Sequence, residues 1–286
     1  MTLQVSLLND GSRLHLQHGP IDLIIGADGD RKAAFKAATE RFETVLSELV
    51  EELPALRTPF TSETTLPSGA VARRMHIACQ PFRRGPFVTR MAAVAGSVAD
   101  EILAAMTRAA RLSRAYVNNG GDIAVHLEDG DRFDLAMARH DGADLGRIAL
   151  TAGQPSRGVA TSGRHGRSLS LGIADSVTVL ARTAAAADVA ATLVANAVDL
   201  PGHPAIDRTD VAEIDDQSDI SGQSVPTLNR PLSPAEEERA LRHGLRFAEK
   251  LRQDGVIDGA ALTLGQLTLT TDRIPQISLK RMHEYA

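Results

Sequence analysis

Three short stretches hold residue types at spacings that can do chemistry. Asp188 and Thr192 lie four apart in an alanine-rich segment. On a helix that spacing puts a carboxylate and a hydroxyl on one face, one turn apart. A hard cation such as Mg2+ takes oxygen ligands and is often held by one or two protein groups plus water and ligand phosphates. The spacing by itself is common in helices. The surrounding Ala and Val residues give it weight, because a carboxylate buried unpaired among them is costly. The second stretch is Thr161-Ser162-Gly163 with Arg164, His165 and Arg167 behind it. Consecutive N–H and hydroxyl donors next to clustered positive charge suit a phosphate. The third is Asn119-Gly120-Gly121-Asp122. Asn and Gly tolerate positive φ, so the chain can fold back there and present its N–H groups, or simply turn. Ser162 with His165 also suggests a Ser-His-Asp hydrolase, but the Gly-x-Ser-x-Gly elbow is missing.

The elements that would position these residues follow from periodicity. Residues 3–8, 13–18 and 21–25 read as strands, the first two joined by the turn signal Asn9-Asp10-Gly11. Residues 31–53 place Phe35, Ala38, Phe42, Val45, Leu46, Leu49 and Leu53 at helical spacing, with Pro54 expected to close the helix or follow its last turn. Glu40, Glu43, Glu48, Glu51 and Glu52 read as its solvated face. Residues 54–70 read as loop and 71–79 as a strand interrupted by Arg73 and Arg74. Arg83 and Arg84 follow in a connection, where a solvated pair is the plainer reading and a phosphate-steering pair the sharper one. Residues 89–115 read as one long helix of small residues. Within it, Gly96 permits either close helix packing or backbone exposed to a ligand. A polar turn and a strand at 123–127 are expected next. The acidic turn at 128–131 lacks the spacing of a calcium loop.

Further strands are expected at 133–138 and 148–151, then the hydroxyl-rich loop, a β-branched strand at 177–180 and the helix carrying Asp188. Residues 201–232 are rich in proline and acidic side chains and read as a surface excursion or linker. Ser233-Pro234-Ala235-Glu236 is a helix start with Ser233 as N-cap, and Gly255 marks the end of that helix. Residues 260–279 alternate as strand. The expected organisation is a core over 1–200, the excursion over 201–232, and 233–286 completing the same domain.

Composition narrows the function classes. Hydrophobic residues make up 43% of the 286 residues, aromatic residues 3%, and there is no Trp, so an aliphatic core is expected. The formal charge of −5 disfavours a nucleic-acid partner, which needs clustered positive surface. A single cysteine, Cys79, excludes an internal disulfide and reads as a buried, inert thiol. There is no basic-then-apolar leader pattern and no long apolar run. The expectation is therefore a cytoplasmic protein with no membrane partner.

Taken in order, three pieces resemble the ApbE family of flavin transferases: Asn119-Gly120-Gly121-Asp122-Ile123, then Gly158-Val159-Ala160-Thr161-Ser162-Gly163, then Val177-Thr178-Val179 leading to Ala187-Asp188-Val189-Ala190-Ala191-Thr192. The resemblance implies an α+β fold, with mixed or antiparallel sheets packed against long helices, that binds FAD or FMN with Mg2+. It further implies transfer of the FMN part of FAD to a Ser or Thr of a protein substrate, or hydrolysis of FAD. The alternative is a non-catalytic flavin- or metabolite-binding or cofactor-assembly protein on the same fold. Under the resemblance, Asp188, Thr192 and a backbone carbonyl of the Val94-Ala95-Gly96 turn, assigned to Val94, hold the metal. Asn119, Gly120, Gly121, Asp122, Thr161, Ser162, Gly163, Arg164 and His165 border the flavin or its phosphates. Two departures stand out. Ala95 replaces the lysine of the family's Ala-Lys-Gly turn, and no His-x-x-x-Pro-x-x-Gly segment lies between the Thr-Ser-Gly loop and the Val-Thr-Val strand. The chain resembles a shortened cytoplasmic branch.

Overall fold

The computed structural model describes residues 2–8, 11–138, 141–166, 168–271 and 277–279. Asn9 and Asp10 of the first expected turn, Arg167 of the hydroxyl-rich loop and residues 272–276 of the last expected strand lie outside the described residues.

The chain opens with β1 (Gln4–Leu8), β2 (Arg13–His18) and β3 (Ile21–Gly29), an antiparallel meander as the alternation predicts. Helix α1 (Arg31–Leu56) follows, capped by Asp30, whose side chain accepts the Ala33 N–H. Helix α2 (Ala70–Cys79) and α3 (Val94–Ala109) precede the strands β4 (Leu112–Asn119), β5 (Asp122–Leu127), β6 (Arg132–Ala138), β7 (Asp144–Thr151), β8 (Gly158–Ser162) and β9 (Ser176–Ala181). Then come α4 (Ala184–Ala197), β10 (Ile206–Asp210), the short α5 (Val211–Ile214), β11 (Ser224–Leu228), α6 (Pro234–Gln253), β12 (Gly259–Leu264), β13 (Leu267–Thr270) and β14 (Ile277–Leu279).

Among the described residues the main sheet has nine strands in the order β1-β2-β3-β4-β5-β8-β9-β12-β13, and every pairing in it is antiparallel. A second sheet runs β14-β7-β6. Neighbouring residues of the central strands point into different cores. Ala124, Ala160 and Val179 join the helix-side core, while Val125, Val159 and Leu180 join a smaller core with Met137, Ile148 and Leu150 of the second sheet. The central strands are therefore buried on both faces, with helices on one side and the small sheet on the other. The α+β class expected from the sequence is the class observed.

Several local expectations are corrected. Residues 71–79 are helix, not strand. Val71, Ala72, Met75, His76 and Cys79 are buried on one side, with Arg73 and Ile77 exposed opposite them. A nine-residue apolar run does not distinguish the two periods, and the two arginines that spoil a strand pattern suit a helix. Arg74 reaches Glu101 of α3 at 2.9 Å. Helix α1 runs through Pro54 to Leu56 rather than ending before the proline. The proline removes one backbone bond in the last turn, and burial of Leu56 holds that turn in place. The face of α1 assigned to solvent also does structural work: Glu48 binds Arg41 and Glu52 accepts the N–H groups of Ser68 and Gly69 ahead of α2.

The long helix expected over 89–115 is shorter. A 3-10 turn over Arg90–Ala93 precedes α3, and residues 112–119 are strand β4, paired with β3. Arg-Ala composition mimics helix there, and the sheet partners decide otherwise. The polar turn after it is thus a β-hairpin rather than a helix–strand connection. Asn119 pairs with Asp122 across Gly120 and Gly121, which take φ of 65° and 113°. A two-residue hairpin with both central residues at positive φ demands this composition. Ser233 and Glu236 form the expected capping box on α6, and Gly255 follows its end at φ 72°.

At the centre of the helix layer, α4 starts in a slot that only glycine leaves open. A Cβ on Gly96 of α3 would lie 2.2 Å from the Ala184 carbonyl oxygen, and one on Gly158 of β8 would lie 2.1 Å from the Thr183 carbonyl. Gly96 therefore serves close packing. Gly96→Ala gains up to about 1 kcal/mol of helix propensity but forces overpacking that costs about 1–3 kcal/mol. The expected outcome is net destabilisation, read as a lower urea midpoint with an unchanged slope; a raised midpoint would contradict the slot.

Candidate functional site

The site grows out of that slot. Asp188 lies one turn into α4, and its Oδ2 accepts the Gly96 N–H at 2.9 Å, on the first turn of α3. In return, Asp100 of α3 accepts the N–H groups of Ala184 and Ala185 at 3.1 and 2.9 Å, the first residues of α4. Each helix supplies a carboxylate to the N-terminus of the other, where unsatisfied N–H groups and the helix dipole favour negative charge. The Asn119 amide donates to the Ala95 carbonyl at 3.1 Å and so ties the β4–β5 hairpin to the same turn of α3. Asn119 is buried, and its side chain spends this donor on positioning the turn.

These ties gather the predicted residues around one cleft of about 870 Å³. One end is lined by Asp188, Thr192, Val94 and Asp122, with Asn119, Gly120, Thr161, Ser162, Gly163 and His165 beside it. Asp122 bridges two diverging strands. β5 and β8 pair only at Ile123–Val159 and Ala124–Gly158, and beyond that point the Asp122 carboxylate accepts the Thr161 N–H at 3.3 Å. A chamber of about 370 Å³ under the small sheet meets the cleft across this divergence; Gly120, Thr161, Ser162, Gly163 and His165 line both spaces, and Gly121 lines the chamber. Two of the predicted residues are partly engaged elsewhere. Arg164 and His165 both approach Oδ1 of buried Asp175, at 2.8 and 3.1 Å, and Asp175 Oδ2 accepts the Gly265 N–H at 2.7 Å. Arg164 lines a separate hollow near Arg230 and Glu237, away from Asp188.

The aliphatic part of the lining comes from helix positions whose spacing reads simply as core. Leu46, Leu49, Val50 and Leu53 of α1 face the site together with Ile21, Met91 and Val98, and Val50 is 56% exposed. Leu46, Leu49 and Leu53 belong to the apolar stripe visible in the sequence of α1, and Val50 lies beside it. Asp175, and Arg57 on the cleft lining, belong to no motif.

Charge at this cleft is uneven. Asp188 and Asp122 repel at one end, while His165 and Arg57 are the basic side chains along the cleft lining. The Asp188 carboxyl is held well above the ordinary range, first by burial and then by the Asp122 charge, against the pull of the Gly96 and Ala95 amides. Asp100 is likewise raised by burial, opposed by its bonds to Ala185 and Ala184. Cys79 is buried and its thiol is pushed up to about 12, chiefly by burial, which makes it inert as expected. The ligand set at the acidic end is oxygen only, which suits a hard cation. Among the described residues no three His, Cys, Asp or Glu side chains gather as a metal cage.

The family model described as AbpE bacteria matches residues 5–274. The chain is 36% identical over 180 residues to a UPF0280 protein of Methanopyrus kandleri, covering 61% of this chain and 69% of that protein. A UPF0280 protein of Methanothrix thermoacetophila is 37% identical over 133 residues, 45% of this chain and 52% of its own length. Among solved structures, the flavinyl transferase ApbE of Pseudomonas stutzeri in its apo form aligns with a TM-score of 0.51 and 14% identity, over 95% of this chain and 96% of that one. The flavin transferase ApbE of Vibrio cholerae aligns with a TM-score of 0.51 and 11% identity, over 95% and 98%. At such identities the likeness establishes the fold. Among the described residues no helix is long and apolar enough to cross a membrane.

A carboxyl raised on folding binds its proton more tightly in the native state. Stability therefore falls as pH rises from the unfolded value, near 3.8, through the raised native one. Asp188→Asn keeps an acceptor for Gly96 and removes the charge. In metal-free buffer it is expected to raise the melting temperature at neutral pH, with the gain vanishing below about pH 4. An unchanged or lowered melting temperature at pH 7 would contradict the electrostatic reading.

Proposed function

The chain belongs to the AbpE bacteria family, and on that footing we propose that it binds a flavin nucleotide, FAD or FMN, together with Mg2+ and acts at the nucleotide's phosphoryl group. The observation that carries this reading is that one cleft is lined both by the oxygen-bearing side chains of Asp188, Asp122 and Thr192 and by the aliphatic side chains of α1, with Gly120 and Gly163 on the same lining. A two-part ligand fits such a lining: the apolar ring lies along α1, and the phosphates reach the turns at Gly120–Gly121 and Thr161–Gly163. The chamber that meets the cleft across the β5–β8 divergence leaves room for the second half of a dinucleotide.

Two carboxylates at the acidic end would repel a phosphate without an intervening cation. The donor set fits one. Asp188, Thr192 and the carbonyl of the Val94 turn would hold Mg2+, with water and ligand oxygens completing its shell. A bound Mg2+ would supply charge neutralisation at a phosphoryl oxygen. The chain's own residues do the rest. Gly96 and the start of α3 fix the Asp188 carboxylate in place, Asn119 holds the Ala95 peptide, and Asp122 keeps the Thr161 amide at the edge of the cleft. In hydrolysis, a water oxygen bonds to phosphorus as the bridging P–O bond breaks, giving FMN and AMP. In transfer, a protein hydroxyl takes the place of water, AMP leaves, and the hydroxyl proton passes to solvent. In place of the family's His-containing segment, this chain has a loop folded around Asp175. That departure favours a second reading, in which the same cleft binds a flavin without turning it over.

Incubation of the full chain with FAD and Mg2+, followed by chromatography of the nucleotides and mass spectrometry of added protein, tests both readings. FMN and AMP release, or a mass gain of FMN on a protein acceptor, supports the enzyme. Asp188→Ala is expected to lower turnover by about a hundredfold, the upper end of what disturbing the residues around a bound metal costs. Saturable FAD binding without products supports the binding protein. Absence of FAD binding at millimolar Mg2+ rejects both.

A further inference from the structure

Beyond Asp188 the cleft opens into a side chamber of about 330 Å³ that shares Asp122, Asp188, Thr192 and Val94 with it. One wall of this chamber comes from far along the sequence. The hairpin β10–β11 is a regular ladder from Ile206–Leu228 to Asp210–Ser224, and its tip, residues 211–223, bends over the chamber with Asp215, Gln217, Asp219 and Ile220 on the wall. The tip is rooted at Val211, which is fully buried and donates its N–H to the Gln223 carbonyl at 3.0 Å. Its further backbone bonds are internal turns, such as Asp215 N–H to Val211 and Ser218 N–H to Asp215. Residues 212–217 are exposed. Among the described residues, the polar tie from the tip to the body of the fold is a single hydrogen bond, from the Thr89 hydroxyl to the Asp219 carboxylate.

The place where that tie lands gives it meaning. Thr89 is buried and caps the 3-10 turn over Arg90–Ala93 by accepting the Met91 N–H, and that turn leads directly into Val94 and Gly96. A rooted, exposed tip held at its far end by one bond can swing without disturbing the sheet. As it lies in the structure, it walls the side chamber beside Asp188, whose other side faces the main cleft. When it is up, that chamber opens to solvent.

We propose that residues 211–223 are a hinged strap that gates the Asp188 end of the cleft, with the Asp219–Thr89 hydrogen bond as its latch. The gating role rests on the cleft being the ligand site, whereas the latch can be tested without any ligand. The test uses the full chain carrying Ala92→Cys. Ala92 lines the side chamber and is absent from the main cleft's lining, so a change in its labelling rate when only the strap is altered reports the strap's share of the access. Cys79, buried with its thiol pushed to about 12, stays silent while the fold is intact and so controls for unfolding.

The labelling rate with a bulky maleimide is compared in the parent, Asp219→Ala and Asp219→Asn. Loss of the latch in Asp219→Ala is expected to speed labelling about tenfold, the weight of one hydrogen bond to a charged group. Asp219→Asn keeps a neutral acceptor for the Thr89 hydroxyl and is expected to label at a rate between those of the parent and Asp219→Ala. Equal rates in all three proteins, or equal acceleration by Ala and Asn, would overturn the latch. If FAD and Mg2+ bind, Asp219→Ala is also expected to speed their association and dissociation together in stopped flow; unchanged rates would overturn the gate. If FAD does not bind, the flavin reading fails, and with it the gate on that site, while the labelling result still decides the latch.

Discussion

Two carboxylates exchanged between two helix starts hold the site together. Asp188 of α4 accepts from Gly96 at the start of α3, and Asp100 of α3 accepts from Ala184 and Ala185 at the start of α4. Burial raises both carboxyls above their ordinary range, and the N–H groups at the helix starts offset part of that cost. The exchange requires the helices to touch backbone to backbone, which Gly96 allows on one side of Thr183–Ala185 and Gly158 on the other. The same contact that stabilises the helix layer therefore sets Asp188 beside Asp122 and Thr161. Packing and site share one set of atoms, so a change to one reaches the other.

The exchange also explains the chemical asymmetry of the cleft. Asp188 is fixed by backbone and, among the described residues, has no ion pair with a basic side chain; the charge that acts on it most strongly is another carboxylate, Asp122. Such an arrangement carries a standing electrostatic cost that a bound cation would relieve. The α1 wall, built from Leu46, Leu49, Val50 and Leu53, has no aromatic side chain. A planar ligand would meet a broad aliphatic surface there, gaining area burial without ring stacking.

Asp175 plays a parallel part on the other side of the Thr-Ser-Gly loop. It draws in Arg164, His165 and the Gly265 amide at the β12–β13 turn, and so welds the loop to the C-terminal strands. Arg164 looks like a phosphate ligand in the sequence because it follows a loop rich in donors. In the fold its guanidinium binds Asp175 and turns toward a different hollow. Loop composition reveals donor capacity, and only the neighbours reveal how much of it is already used.

Much was legible in the chain itself. The meander over 4–29, the amphipathic α1, the Gly120–Gly121 turn, the capping box at Ser233 and the Asp188–Thr192 spacing all rest on interactions between residues close in sequence. Local geometry, periodicity and turn chemistry decide those. The α+β class and the family followed from their order. The helix at 70–79 and the strand at 112–119 were illegible, because short apolar or Arg-Ala runs satisfy either period until a neighbour selects one. The wall of α1, Asp175 and the strap tip belonged to no motif. Their roles come from contacts spanning many tens of residues, such as Asp219 with Thr89 and Asp188 with Gly96. The sequence by itself determined which residues could bind a cation and an anion. Tertiary structure decided which of them meet, because burial, charge repulsion and close backbone approach exist only once distant segments share the same space.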